Sequence, residues 1–338
     1  MQLFKAEVPG PSADKLTPRV QETAKRLWII YVGITAAEFL LLLYPMGWFD
    51  AVNHAFATMA TGGFSPYGGS VGHFDSAYVD WIVTLFMFLA GVNFALHYRM
   101  IRGERLQVFK NTELRVYAAI VAAATILITI SIYTPGGGAA AAAESAATQT
   151  YSSLLEALRY AAFQATAITT TTGFGTVDYE LWPPLAMTVL FALFFCGGMA
   201  GSTGGGVKVI RHVLLAKDSL REMKQLVHPQ GIIPTRLDGN VVGDDILRHV
   251  LSFFVLFLAT VAVGALILSA MGIDLLSALA AALSCTANIG PAFGTFGPTE
   301  NYAHVPLLGK WVLTFLMIAG RLELFTIFLL FVPAFWRR

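Results

Sequence analysis

Three times along this chain a short apolar segment, too brief to cross a bilayer, runs straight into a polar stretch bearing glycine. The segments are 48–60, 153–169 and 275–287. The stretches they enter read ATGGFSPYGG, TTTTGFGTVDY and ANIGPAFGTFG. Long apolar runs surround them, at 27–45, 77–98, 114–133, 184–200 continuing past a break to 227, 246–271 and 306–333, near or above the roughly 20 residues a transmembrane helix needs. This pattern constrains the fold more than any other feature. Non-helical backbone cannot face lipid, so it survives at membrane depth only where protein surrounds it or where it lines a water-filled path.

Composition agrees with a membrane setting. Hydrophobic residues make up 56% of the 338 and charged residues 13%, with a mean hydropathy of +0.65; a soluble domain carries roughly a quarter charged residues. A net charge of +1 and the lack of any basic cluster interleaved with aromatics argue against a nucleic-acid partner. Cys196 and Cys285 both sit in apolar stretches and read as small buried hydrophobes, not as a disulfide or metal pair. The polar first 26 residues do not read as a signal peptide.

The order of long span, short helix, glycine stretch, long span is an internal repeat. Aligning the glycines sets Thr61-Gly62-Gly63-Phe64 against Thr171-Thr172-Gly173-Phe174 and the more divergent Asn288-Ile289-Gly290-Pro291. The repeats divide the chain into a linker (1–26) and three units (27–103, 104–228 and 229–338). Of the 22 Lys and Arg residues, 19 lie before the first span, in 99–115, in 208–248 or at the C-terminus. By the positive-inside rule the termini face the cytoplasm and all three glycine stretches face outward.

Three segments dipping from one side can satisfy their backbone together if they meet on a common axis. Their carbonyls would then form rings of oxygen able to replace a cation's hydration shell. Glycine permits the backbone geometry this needs, and Phe64 and Phe174 could wedge the segments against neighbouring helices. The short helices would aim their partially negative C-terminal ends at the axis. Asp75, Asp178, Glu180 and Glu300 follow the motifs and would draw cations to an outer mouth. The plainer reading is ordinary outward loops with turn glycines, and three copies at matching places argue against it.

Two further features stand at membrane depth. The run CGGMAGSTGGGVK places Gly197, Gly198, Gly201, Ser202, Thr203, Gly204, Gly205 and Gly206 in mid-span. Each glycine costs a helix about 1 kcal/mol relative to alanine, so a regular helix breaks there; a small-residue packing patch is the alternative. Arg321 lies within the last apolar run, where a charge marks either a function or a structural pair. Facing the path, it would be a barrier to cations, and free carbonyls at 197–206 could meet its donors. Glu323, two positions on, lies on another face of the helix and would pair elsewhere.

These motifs resemble the potassium-transport subunits of the Trk/Ktr/HKT superfamily, most closely its TrkH branch. The resemblance runs along the whole chain and includes QLFKAEVPGPSADKLTPR, ATGGFS, TTTGFGTVDYELWP, CGGMAGSTGGGVKVIR, ANIGPAFGTFGP and AGRLELFTIFLLF. It implies an all-α polytopic membrane protein of the potassium-channel-like pore fold, built from helix, pore helix, filter loop and helix repeats. The implied activity is potassium uptake, with K⁺ as the transported ion, no covalent cofactor and no enzymatic chemistry. The implied K⁺ filter is Ala60, Thr61, Gly62 and Gly63, then Thr171, Thr172, Gly173 and Phe174, then Ala287, Asn288, Ile289 and Gly290. Glycine at 63, 173 and 290 is what the family associates with potassium selectivity.

The same resemblance makes 197–206 a gate loop below the filter and Arg321 the pore barrier. It implies a homodimer in the bacterial inner membrane, with a cytoplasmic nucleotide-binding regulatory subunit of the TrkA type. The family has four repeats and this sequence supplies three. The chain therefore reads as part of a longer protein, or as one needing a first repeat from a companion chain. A membrane enzyme is the other function class, but His97, His249 and His304 do not cluster and no HExxH, GxSxG or P-loop pattern occurs.

Overall fold

The computed structural model describes residues 20–135, 148–231 and 233–336. Expectations for most of the N-terminal linker, for the alanine-rich stretch over 136–147 and for the two terminal arginines lie outside those residues. The first apolar run and the first short segment form one helix, α1 (Val20–Met59), bent at Gly47, where φ is 77° and ψ is 167°. Pro45 precedes the bend and withholds an amide donor from that turn, which gives the kink an identifiable cause. Helices α2 (Ala77–Ala90), α3 (Phe94–Ile101) and α4 (Arg105–Lys110) complete this unit.

The next unit holds α5 (Thr112–Ile132), the short α6 (Leu154–Thr169), α7 (Pro184–Leu193) and, beyond a non-helical gap, α8 (Val209–Val227). A two-residue hairpin, β1 (Arg236–Leu237) with β2 (Asn240–Val241), pairs Arg236 opposite Val241 and leads into the last unit. That unit contains α9 (Asp244–Ala270), the short α10 (Leu275–Ala287), α11 (Leu307–Arg321), α12 (Leu324–Leu329) and α13 (Pro333–Trp336). Each glycine stretch ends in a 3₁₀ turn, at Ser70–Phe74, Tyr179–Leu181 and Gly294–Phe296.

The short helices begin where the sequence supplies caps. Ser153 accepts from the Glu156 amide, and Asp274 from the Ser277 amide. Their apolar faces are mostly alanine: Ala157, Ala161 and Ala165 on α6, and Ala278, Ala281 and Ala282 on α10, are fully buried. Small side chains let neighbouring backbones approach closely, so each short helix sits deep among longer ones.

Among the described residues three helices are long and apolar enough to cross a membrane, or four if α2 and α3 count as one bent span. The sequence predicts six such runs, and the difference lies in breaks: the one expected in 184–227 and two more. The run 77–98 turns through 100° between α2 and α3. A Cβ on Gly91 would stand 2.3 Å from the Tyr117 hydroxyl, so only glycine admits α5 there. Asn93 then caps α3 by accepting from the Ala95 amide. The last run breaks after Leu322, where Glu323 takes a φ of 64°. All three units thus have a broken second helix, where the sequence predicts one only in the middle unit.

Candidate functional site

The three glycine stretches begin with one backbone motif. Thr61, Thr171 and Asn288 end their short helices with φ of 51°, 59° and 61°. The amide of each bonds three residues back, to Thr58, Ile168 and Cys285, and the next amide bonds five back, to Ala57, Ala167 and Ser284. This is the Schellman helix end, whose left-handed residue is usually glycine. Asparagine tolerates that conformation, whereas a β-branched residue there is strained.

Two residues on, Gly63, Gly173 and Gly290 again take positive φ, 64°, 77° and 111°, while Gly62, Thr172 and Ile289 between them do not. Alternating the sign of φ turns successive peptide planes so that their carbonyls share a side. Side by side, the segments follow one another in order. A Cβ on Gly63 would stand 1.9 Å from the Thr172 carbonyl oxygen, and one on Gly173 would stand 1.9 Å from that of Ile289. The space a side chain would fill is occupied by the neighbour's oxygen. At Gly290 no atom of the described residues lies within 4 Å of that point, so this side of the ring is open.

Gly63, Gly173 and Gly290 line one cavity of about 280 Å³ together with Glu300. The other outer acids stand close by without lining it. Asp178 accepts from the Glu180 amide at 3.0 Å, and Glu180 from the Gly294 amide at 2.6 Å, so the pair ties the second stretch to the third. Burial pushes the Glu180 carboxyl up, opposed by the Gly294 bond and assisted by Asp178 and Glu300. Asp75 closes the first 3₁₀ turn with a φ of 40°.

The two phenylalanines part company. Phe174 is fully buried and stacks on His54 at 5.7 Å between centroids, wedged as its apolar ring predicts. Phe64 is 80% exposed and lies over Gly62 at the open side, so among the described residues it is wedged against no neighbouring helix. The expectation for Phe64 is corrected here: the wedge needs a neighbour on that flank.

Directly below the stretches runs the non-helical gap between α7 and α8. A Cβ on Gly205 would stand 2.6 Å from the Ala287 carbonyl, and one on Gly204 would stand 3.0 Å from that of Thr170. Gly205 donates to the Thr171 hydroxyl at 2.5 Å. The Thr203 carbonyl lies 2.8 Å from the Thr61 hydroxyl and accepts from Arg321 Nη1 at 3.0 Å. Gly197 and Gly198 start the gap: Gly197 donates to Val207, and Gly198 accepts from Val209. Gly201 accepts from Phe94, Ser202 bonds Met199, and Gly206 takes a φ of 65°. The break at 91–93 now has a role, since the Gly91 carbonyl accepts from the Met199 amide.

The TrkH family profile, described as a cation transport protein, matches residues 1–338. The chain belongs to the TrkH family. The Trk system potassium uptake protein TrkH of Salmonella typhimurium is 38% identical over 340 residues, covering 100% of this chain and 67% of that protein. TrkH of Halomonas elongata is 38% identical over 344 residues with the same coverage, and TrkG of Escherichia coli K12 is 32% identical over 340. The crystal structure of the potassium transporter TrkH from Vibrio parahaemolyticus superposes with a TM-score of 0.85 at 35% identity, covering 99% of this chain and 69% of that one. This TrkH-family chain is thus an all-α polytopic membrane protein.

Three residues of this TrkH-family site went unread in the sequence. Glu113, at the start of α5, accepts from the amides of both Ala200 and Ile210. Arg211 pairs with Glu323 at 2.8 Å and lies over the Phe253 ring at 3.6 Å. Lys208 donates to the Gly204 carbonyl. Charged residues inside or beside apolar runs are the cue that could find them, as it does for Arg321 and Glu323. Glu323 does pair with another helix, as its position two residues from Arg321 implies.

Proposed function

We propose that the chain forms three sides of a potassium uptake pore. Its filter is the backbone oxygen of Ala60–Gly63, Thr171–Phe174 and Ala287–Gly290. The observation that carries this reading is the shared cavity, which three glycines with the same alternating backbone line together. Carbonyls fixed by intra-segment hydrogen bonds and by a neighbour's backbone suit a site that must replace water around an unhydrated cation. The relatives named above are potassium uptake proteins, which fits K⁺ as the transported ion and transport in place of catalysis. A fourth filter segment closes the open side beside Gly290 and the exposed Phe64.

Below the filter, 197–206 acts as the gate and Arg321 as an electrostatic barrier, since the arginine reaches the same Thr203 carbonyl that the filter's Thr61 touches. The acids Asp75, Asp178, Glu180 and Glu300 form an outer mouth. The basic segments 99–115 and 208–248 meet on the opposite side: Asp238 of the hairpin accepts from the Thr112 amide and hydroxyl. That side faces the cytoplasm, with both termini, in the bacterial inner membrane. The last turns of α8 leave Leu220, Met223 and Leu226 exposed there, a surface suited to a TrkA-like nucleotide-binding regulatory subunit. The protein works as a homodimer.

The test is growth of a bacterium lacking potassium uptake, complemented with this chain alone and with the chain extended by a fourth filter repeat. The extended form should restore growth at low potassium and take up Rb⁺. If it does neither while reaching the membrane, the reading fails.

A further inference from the structure

Behind the intramembrane loop, a single carboxylate oxygen takes two backbone amides. Oε1 of Glu113 accepts from the Ala200 amide at 2.7 Å and the Ile210 amide at 3.1 Å. These residues bracket the loop's inner portion, ten positions apart in sequence and brought to one atom. Glu113 is 6% exposed, so neither bond competes with bulk water. Charge-assisted bonds of this kind are among the stronger ones in proteins.

The part between the two anchored amides is tied differently. Its contacts toward the axis come from side chains, the Thr61 and Thr171 hydroxyls, Arg321 and Lys208, and behind it the Thr203 hydroxyl bonds the Ala90 carbonyl at 3.1 Å. Gly201 and Gly206 flank Ser202–Gly205 with φ of 73° and 65°. Glycines of this kind absorb the backbone rotation of a hinge. The geometry points to Glu113 as the fixed anchor of the gate, a positioning residue that holds Ala200 and Ile210 still while the piece between the glycines swings. This rests on the reading of 197–206 as the gate.

The inference separates Glu113 from the filter. Its carboxylate touches the loop's ends and none of the filter carbonyls, so it sets how often the path is open and not which ion passes. In the assembled transporter reconstituted in proteoliposomes, Glu113→Ala leaves two buried amides unpaired. Basal Rb⁺ flux should rise about tenfold, a shift in a closed–open equilibrium within what loss of these two charge-assisted bonds allows. Glu113→Gln keeps an oxygen that accepts both amides and should stay close to wild type. The K⁺/Na⁺ reversal potential should match wild type in both. Unchanged basal flux in Glu113→Ala, or a shifted reversal potential in either variant, overturns the anchor. Hydrogen exchange on the wild-type protein gives an independent readout, whether or not flux is seen. The Ala200 and Ile210 amides should exchange more slowly than that of Gly205, and equal rates overturn the proposal. Failure of the transport reading and failure of the anchor are therefore distinguishable.

Discussion

The filter stretches and the loop beneath them are both glycine-rich and non-helical, yet they are held differently. Each filter stretch satisfies its opening amides within its own repeat, through the bonds from Thr61 and Gly62, Thr171 and Thr172, and Asn288 and Ile289 back to their short helices. The loop adds to a few bonds of its own partners borrowed from elsewhere: Glu113 of α5, Gly91 beyond α2, Thr171 of a filter stretch and Arg321 of α11. Backbone that carries its own bonds is fixed when its helix packs. Backbone held by distant groups stays only as long as those groups do. That contrast suits the proposed filter to be the rigid site and the proposed gate the movable one.

The sharpest way to break this comparison is a methyl group in the filter. Gly173→Ala places a Cβ 1.9 Å from the Ile289 carbonyl oxygen, a backbone atom that cannot yield, on a residue with φ of 77°. Loss of K⁺-selective uptake is expected, and Gly173→Ser should reduce K⁺ over Na⁺ discrimination likewise. Gly290→Ala meets no described atom within 4 Å, so without a fourth segment it bears only the left-handed strain, about 1–2 kcal/mol. With the ring closed by a fourth repeat, Gly290→Ala should become as damaging as Gly173→Ala. Reversal potentials measured on both variants decide it, and equal mild effects would remove the ring.

The ion pair at the loop's foot comes next. Arg211 and Glu323 have side chains 4% and 17% exposed and lie 2.8 Å apart. Breaking a buried pair by removing one partner typically costs about 3–5 kcal/mol. Arg211→Ala should therefore lower the thermal midpoint clearly, with Arg211→Ala/Glu323→Gln recovering part of the loss. A smaller effect is expected from Gly205→Ala in the loop. Its Cβ would stand 2.6 Å from the Ala287 carbonyl, but the loop can give way, so basal flux should change while selectivity holds. A selectivity change there would mean that the loop is as rigid as the filter.

Much of this arrangement was legible in the sequence, for a physical reason. Filter backbone must adopt positive φ and admit a neighbouring oxygen, and those demands fall on residue types, so Gly63, Gly173 and Gly290 announce themselves. The loop's glycines did so too. What holds the loop was not legible, because Glu113 lies 87 residues before Ala200 and Arg211 lies 112 before Glu323. Only the fold makes them neighbours. The break at Gly91 had a cue in the residues AGVN, a glycine followed by a capping asparagine, set in an otherwise unbroken apolar run. Phe64 shows the converse: its apolar ring predicts a wedge, and the flank it needs is open.

The smallest expected effect concerns pH at the outer mouth and asks whether the rigid side also carries the charge. Burial, with Asp178 and Glu300 nearby, raises the Glu180 carboxyl above its ordinary value, against the Gly294 amide that favours the charged form. The sign follows directly. A raised carboxyl binds its proton more readily when folded, so acidification removes its charge at a higher pH than for an isolated glutamate, and stability declines as pH rises through that window. Less negative charge at the mouth means a lower local cation concentration. The apparent KM for K⁺ should therefore rise on mild acidification, just above the usual carboxylate range, with maximal flux unchanged. Glu180→Gln should show the higher KM at neutral pH, lose that pH dependence and retain wild-type selectivity. A flux maximum that moves with pH instead of KM would place the titrating group at the loop below, where charge bears on opening and not on capture.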